Sequence, residues 1–135
     1  WADSATGPGF GGDRSFLAMS TKAQLLQKLG KGKEADDVMK RALPFGNMND
    51  LHQYARSLVG LKMYQKALEV FRANYDKYPN QVTTAIGMAR GYSALNDYTN
   101  ALKYANIALN LASDTGTKTF VSGLIDKLKA NKDIN

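Results

Sequence analysis

The side chains with the clearest chemical potential are two arginines, Arg56 and Arg90, which stand 34 residues apart. A guanidinium group is always charged, and it offers a rigid fork of N–H donors that suits a carboxylate. His52 is the single histidine of the chain, and one imidazole without further ligands does not make a metal site. The residue types therefore favour binding of an acidic group over metal or acid–base chemistry.

The inventory of catalytic residues is poor. The chain has no cysteine, which excludes thiolate chemistry, and it contains no nucleophile elbow or phosphate-binding loop. Gly7, Gly9 and Gly12 match the letters of a dinucleotide-binding fingerprint, but the preceding strand that this fingerprint requires is not visible. We therefore expect no enzyme, no cofactor and no metal site in this chain.

The charge balance is basic, with a formal net charge of +6 over 135 residues. The excess is spread along the chain without a block of like charges, which favours a solvated basic surface over a nucleic-acid footprint. No apolar run approaches the roughly 20 residues that cross a bilayer, so membrane insertion is not expected. The absence of cysteine leaves both the cytoplasm and the periplasm open.

The elements that must position the arginines follow from an internal repeat. The stretch from Leu61 to Leu68 returns as Leu95 to Leu102, with two leucines, a tyrosine and an alanine in register 34 residues later. A period of this length, with apolar residues at three- and four-residue steps, is typical of stacked helical hairpins. It predicts hairpins over about 13–44, 48–79 and 80–113, and a last helix over 117–131 that covers the open end of the stack.

The beginning of the chain differs in kind from the rest. Five of the six residues from Gly7 to Gly12 are glycine or proline, which disfavours a helix. We interpret residues 1–12 as a flexible segment, a cut linker or the end of an upstream helix, and residues 13–135 as a single helical repeat domain. The first residue is Trp1 rather than methionine, so contact with a missing N-terminal domain stays an open hypothesis.

Asn80 and Asp97 are predicted to cap the helices that follow them.

The repeats resemble the tetratricopeptide repeat family, which places large, small and aromatic residues at fixed positions. With Met48 as position 1, the matching residues are Leu51, Tyr54, Ala55, Leu58, Ala67, Phe71 and Pro79; with Val82 as position 1, they are Ala85, Met88, Ala89, Tyr92, Ala101, Ala105 and Ala108. Asn74 departs from the pattern. The resemblance implies an all-α, right-handed α–α superhelix of about three helical hairpins plus a C-terminal capping helix. A fainter resemblance, to the repeat region of an exported bacterial protein family of unassigned function, implies export or a periplasmic location.

The family resemblance also implies where a ligand would lie. Members hold peptides in a concave groove formed by the first helix of each hairpin. The groove positions of this chain hold Asn49, His52, Gln53, Arg56, Arg90 and Ser93, with Gln24 and Gln27 in the weaker first repeat. Arg56 and Arg90 fall at the same repeat position, so two guanidinium groups are expected on one wall. One hypothesis is therefore that the two arginines bind acidic groups of a protein or peptide partner. The alternative is that both guanidinium groups are solvated and only their aliphatic stems pack, over the core.

The function predicted from these residues is protein–protein interaction. The carboxylate clamp that some members use for chaperone tails is not matched, since its positions hold Ser20, Gln24, Gln53, Thr83 and Gly87. The competing hypothesis is a structural accessory domain that packs on its own upstream domain or self-associates, with the groove filled in cis. A third hypothesis, binding of RNA by a basic groove, is disfavoured by the scattered charge.

Overall fold

The structure is a computed structural model that describes residues 12–135, with side chains from Phe16 onward. All regular structure in this range is helical, and the predicted all-α fold of helical hairpins is confirmed. The helices are α1 Gly12–Lys28, α2 Gly32–Ala42, α3 Met48–Gly60, α4 Tyr64–Lys77, α5 Val82–Ala94, α6 Tyr98–Leu111 and α7 Thr115–Lys129, with a 3₁₀ turn at Leu43–Phe45. The predicted flexible segment, residues 1–12, lies outside the described residues except for Gly12, which begins α1.

Three helix starts show how the local sequence sets the boundaries. Asp97 caps α6 as predicted, since its Oδ1 accepts from the backbone N–H of Asn100 at 3.2 Å. The prediction for Asn80 is wrong: this residue takes a left-handed backbone with φ of 62° in the turn, and α5 begins after Gln81 without a side-chain cap. Asp114 accepts from Thr117 N at 2.8 Å, and this cap lets α7 begin at Thr115, earlier than predicted.

Four helices end in the same way, in a left-handed residue that stops the helix. These residues are Gly30, Lys62, Asn96 and Asn131, with φ between 57° and 77°. In each case the next residue donates its N–H to a carbonyl five residues back, a C-terminal motif that satisfies an otherwise free acceptor. After α1, α3 and α5 a new helix begins two residues after the left-handed residue, whereas residues 132–135 after α7 are irregular.

Backbone contacts divide the chain into two compact units, the first ending at Leu51 and the second running from His52 to Asn135. In the first unit α1 packs on α2, and Ala23 and Ala35 are fully buried. Gly46 lies against the ring of Phe16, where an added Cβ would come within 2.7 Å of the ring. Small residues therefore let this hairpin close tightly.

In the second unit α5 is the central helix, because α4 packs on one side of it and α6 on another, and α6 also contacts α7. Every residue from Thr84 to Gly91 is buried. Gly91 permits close approach of the α4 backbone, since a Cβ there would lie 3.2 Å from the Cα of Leu68. A helix buried on all sides is the platform on which the candidate site is built.

Candidate functional site

The predicted groove residues of α1 and α3 are accessible, with one exception. Asn49, Gln53 and Arg56 are exposed, and Gln24 and Gln27 are half-buried. His52 is only 9% exposed. Its ring lies edge-on against Phe71 with centroids 5.5 Å apart, so His52 supports this face from beneath and does not present its ring on it.

Arg90 of α5 is in a different environment from Arg56 of α3. Its side chain is 8% exposed, and its Nη1 donates to the backbone carbonyl of Ile134 at 2.9 Å. The Nε of Arg90 is buried and has no hydrogen-bond acceptor among the described residues. The guanidinium is thus covered by the irregular segment that follows α7, which uses only part of its donor capacity.

Ser93, one helical turn after Arg90, holds the same segment. Its side chain is 0% exposed, and its Oγ donates to Asp133 Oδ1 at 2.6 Å while accepting from Ile134 N at 3.0 Å. Asn135 Nδ2 donates to the carbonyl of Arg90 at 2.9 Å. Three consecutive residues, 133–135, are therefore bound through hydrogen bonds to α5.

Ile134 adds an apolar contact to these hydrogen bonds. It is 6% exposed and belongs to the core cluster of the second unit, whose other buried members are Ala85, Ile86, Ala89, Ala101, Ala105, Ala108, Val121, Leu124, Ile125 and Leu128. Lys132, Asp133 and Asn135 stay exposed. The segment is therefore anchored by one side chain and by hydrogen bonds on either side of it.

Residues 133–135 are the part of the site that the sequence does not reveal. Asp133 and Ser93 are separated by 40 positions, and nothing in local periodicity or turn chemistry pairs them. One available signal is Ile134, an isolated aliphatic residue after the last helix, since a β-branched apolar side chain seeks burial.

The two arginines interact electrostatically. Burial lowers the pKa of Arg90, the nearby charge of Arg56 lowers it further, and Asp133 opposes the shift. The pKa of His52 falls to about 4, because of burial first and the charges of Arg90 and Arg56 second. His52 is consequently neutral near pH 7, and the positive charge of the face resides on the two arginines.

Asp133 experiences opposing influences. Its burial alone would raise its pKa, but hydrogen bonds from Ser93, Asn135 and the backbone lower it, and the net pKa lies below the usual value. The carboxylate is therefore ionised when it accepts from Ser93. We call Gln53, Arg56, Arg90 and Ser93 the arginine face, of which the α5 half is covered by residues 133–135.

The arginine face offers positive charge and hydrogen-bond donors. Among the residues whose side chains are described, no group of three or more His, Cys, Asp or Glu could hold a metal ion. None of the described helices is long and apolar enough to cross a membrane.

Comparison with known proteins identifies the repeat. Residues 56–114 match the family model of the tetratricopeptide repeat. Tetratricopeptide repeat protein 8 from human is 36% identical over 103 residues, covering 70% of this chain and 19% of that protein. The mouse protein of the same name is 35% identical over 78 residues, covering 57% of this chain and 15% of that protein.

The chain thus spans less than a fifth of the length of these curated relatives. The residues that the family model matches include the small residues Ala67, Ala85, Ala89 and Ala101, which are fully buried in the second unit. The match over residues 56–114, together with the helical hairpins that these residues form, shows that this part of the chain consists of tetratricopeptide repeats.

Proposed function

We propose that this chain is a protein–protein interaction module that binds an acidic, non-helical peptide on the arginine face. Arg56 is exposed on α3, and its charge adds to that of Arg90. Two guanidinium groups on one wall attract carboxylates and can hold them through charge-assisted hydrogen bonds.

One observation carries this proposal: the α5 half of the face already holds an irregular segment of chain that contains an aspartate. Arg90 binds its backbone at Ile134, and Ser93 binds both its backbone and the carboxylate of Asp133. Recognition of main chain and acid together is what peptide binding requires. The contacts support a face that is suited to peptide, with its α3 half left accessible.

The same contacts favour a second candidate function, in which the domain is a structural accessory. In that case residues 133–135 fill the face permanently, and the domain serves a neighbouring part of a longer protein. Burial of Ile134 in the core cluster supports this candidate. The two functions differ in whether Arg56 selects any ligand in trans.

A peptide-display experiment separates the two candidates. A random library is selected against the parent chain, against Arg56→Ala, and against Arg41→Ala, which removes another exposed arginine, from α2. We expect the parent and Arg41→Ala to enrich the same acidic peptides and Arg56→Ala to lose them. Enrichment of the same peptides by all three proteins would refute the site, and enrichment of none would favour the structural candidate.

A further inference from the structure

Residues 133–135 contact α5 through each of their three positions, and these contacts indicate which residue types a ligand of this site would need. Its first residue, Asp133, is recognised by the hydroxyl of Ser93. Its second, Ile134, is recognised by the apolar cluster through its side chain and by Ser93 and Arg90 through its backbone. Its third, Asn135, donates its side-chain amide to the carbonyl of Arg90. Each position meets a different chemical group of the second unit.

We propose that the α5 half of the arginine face is a recognition site for a peptide segment of the form Asp–aliphatic–Asn, and that residues 133–135 are its cis occupant. A partner with this sequence chemistry must displace the cis segment to bind. This inference rests on the proposed function of the face, and it adds the ligand sequence and a built-in competitor.

Two observations favour an exchangeable occupant over a fixed part of the fold. Only Ile134 of the four residues after Asn131 is buried, while Lys132, Asp133 and Asn135 are exposed. The cis segment also leaves Arg90 Nε buried without an acceptor. A buried donor without a partner is costly, so docking of the cis segment is weaker than it would be if every buried donor of Arg90 were satisfied, which favours exchange.

Competition by a cis segment has a defined effect on affinity. The apparent affinity for an outside ligand falls in proportion to the fraction of molecules whose site is open. If the cis segment occupies the site in ninety-nine molecules of a hundred, a trans ligand binds about a hundredfold more weakly than to a permanently open site. Substitutions that release the segment are therefore expected to increase binding of a matching peptide.

The test uses a fluorescent, N-acetylated peptide with the sequence of residues 130–135, Ala-Asn-Lys-Asp-Ile-Asn, and a control peptide in which Asp and Ile are exchanged. Binding is measured by fluorescence anisotropy with the parent chain and with Ile134→Asp, which places a charge where the core cluster requires an apolar side chain. Asp126→Ala is the matched control, since it removes an exposed carboxylate from α7.

We expect Ile134→Asp to bind the peptide at least about tenfold more tightly than the parent and Asp126→Ala do. Ser93→Ala, added to the open variant, should reverse the gain. The control peptide should bind none of the proteins measurably. Equal binding to the parent and to Ile134→Asp would overturn the cis competitor, and no binding to a folded Ile134→Asp would overturn the ligand sequence.

A second variant protects the test against loss of the fold. Asp133→Ala removes the acceptor of Ser93 Oγ and keeps Ile134, so the core cluster is unchanged. It should bind the peptide with an affinity between those of the parent and Ile134→Asp, and binding no tighter than that of the parent would contradict the proposal.

The outcomes also separate this inference from the proposed function. Selection of library peptides through Arg56, together with no binding of Ala-Asn-Lys-Asp-Ile-Asn by the folded open variants, would refute the inference and keep the function. Failure of every peptide, in the parent and in the open variants alike, would refute both.

Discussion

Arg56 and Arg90 occupy the same position in two successive repeats, yet one is exposed and the other is buried. Their helices have the same length, 13 residues, and end in the same left-handed turn. The difference comes from outside the repeat, because residues 133–135 cover α5 and leave Arg56 of α3 exposed. A repeat position therefore fixes where a side chain points, while the segments that follow the repeats decide whether it is available.

The largest effect is expected where the covering segment meets the core. Ile134→Ala should lower the free energy of unfolding by about 3 kcal/mol, since it removes a buried aliphatic side chain and leaves a cavity. Lys132→Ala, in the same segment but exposed, should change it by less than about 0.5 kcal/mol. Urea denaturation of both variants measures the difference, and a similar small change in both would show that the segment is not docked.

The arginines themselves give the next prediction. Arg90→Ala should destabilise the fold by about 2 kcal/mol, because it removes a charge-assisted hydrogen bond to Ile134 and leaves that carbonyl without its donor. Arg56→Ala should stay within about 0.5 kcal/mol of the parent. Equal destabilisation by the two substitutions in urea denaturation would remove the distinction between the two halves of the face.

The pH dependence of stability tests the burial of His52 beneath both arginines. The unfolded imidazole takes up a proton near pH 6.5, whereas the folded one resists protonation until about pH 4. Because the unfolded state then binds more protons, stability should fall as the pH drops from 6.5 towards 4, by on the order of 2 kcal/mol.

His52→Gln removes this titration and keeps a polar side chain. Its unfolding free energy, measured by urea denaturation at pH 7 and at pH 4.5, should fall less than that of the parent over the same interval. Parallel loss of stability in both proteins would mean that His52 is not shielded from protonation.

The smallest changes in stability are expected for two glycines, Gly91 of α5 and Gly60 of α3, which compare the packing of the two helix backbones. A Cβ at Gly91 of α5 would meet Leu68 Cδ1 at 2.9 Å and Leu68 Cα at 3.2 Å, whereas a Cβ at Gly60 of α3 would meet nothing within 4 Å. Gly91→Ala should therefore cost about 1–2 kcal/mol through overpacking. Gly60→Ala should be neutral or stabilising by about 0.5 kcal/mol, because alanine loses less backbone entropy on folding. Thermal unfolding of both variants checks the sign, and a reversed order would contradict the close crossing of α4 and α5.

The sequence predicts most of the fold because helix periodicity and capping are local. The spacing of Tyr64 and Tyr98 fixes the hairpin register, and Asp97 caps α6 as its position indicates. Asn80 fails as a cap because an asparagine is equally suited to the left-handed turn that it occupies. The local sequence is compatible with Asn80 as a helix cap and as a left-handed turn residue, and the surrounding structure determines which of the two occurs.

The candidate site is predicted only in part. The repeat register places Arg56 and Arg90 together, and their electrostatic interaction agrees with that placement. The burial of Arg90 and Ser93 depends on residues 40 or more positions later. Such a contact has no periodic signal in the sequence, because it is made once and between an irregular segment and a helix.

Arginine reactivity tests the difference between Arg56 and Arg90 most directly. The parent chain is treated with limiting phenylglyoxal, and the modification of each arginine is followed by mass spectrometry, with exposed Arg41 as an internal reference. We predict that Arg56 reacts as fast as Arg41, that Arg90 is protected, and that Ile134→Asp makes Arg90 reactive. Equal modification of Arg56 and Arg90 in the parent would contradict the covering of the α5 half by residues 133–135.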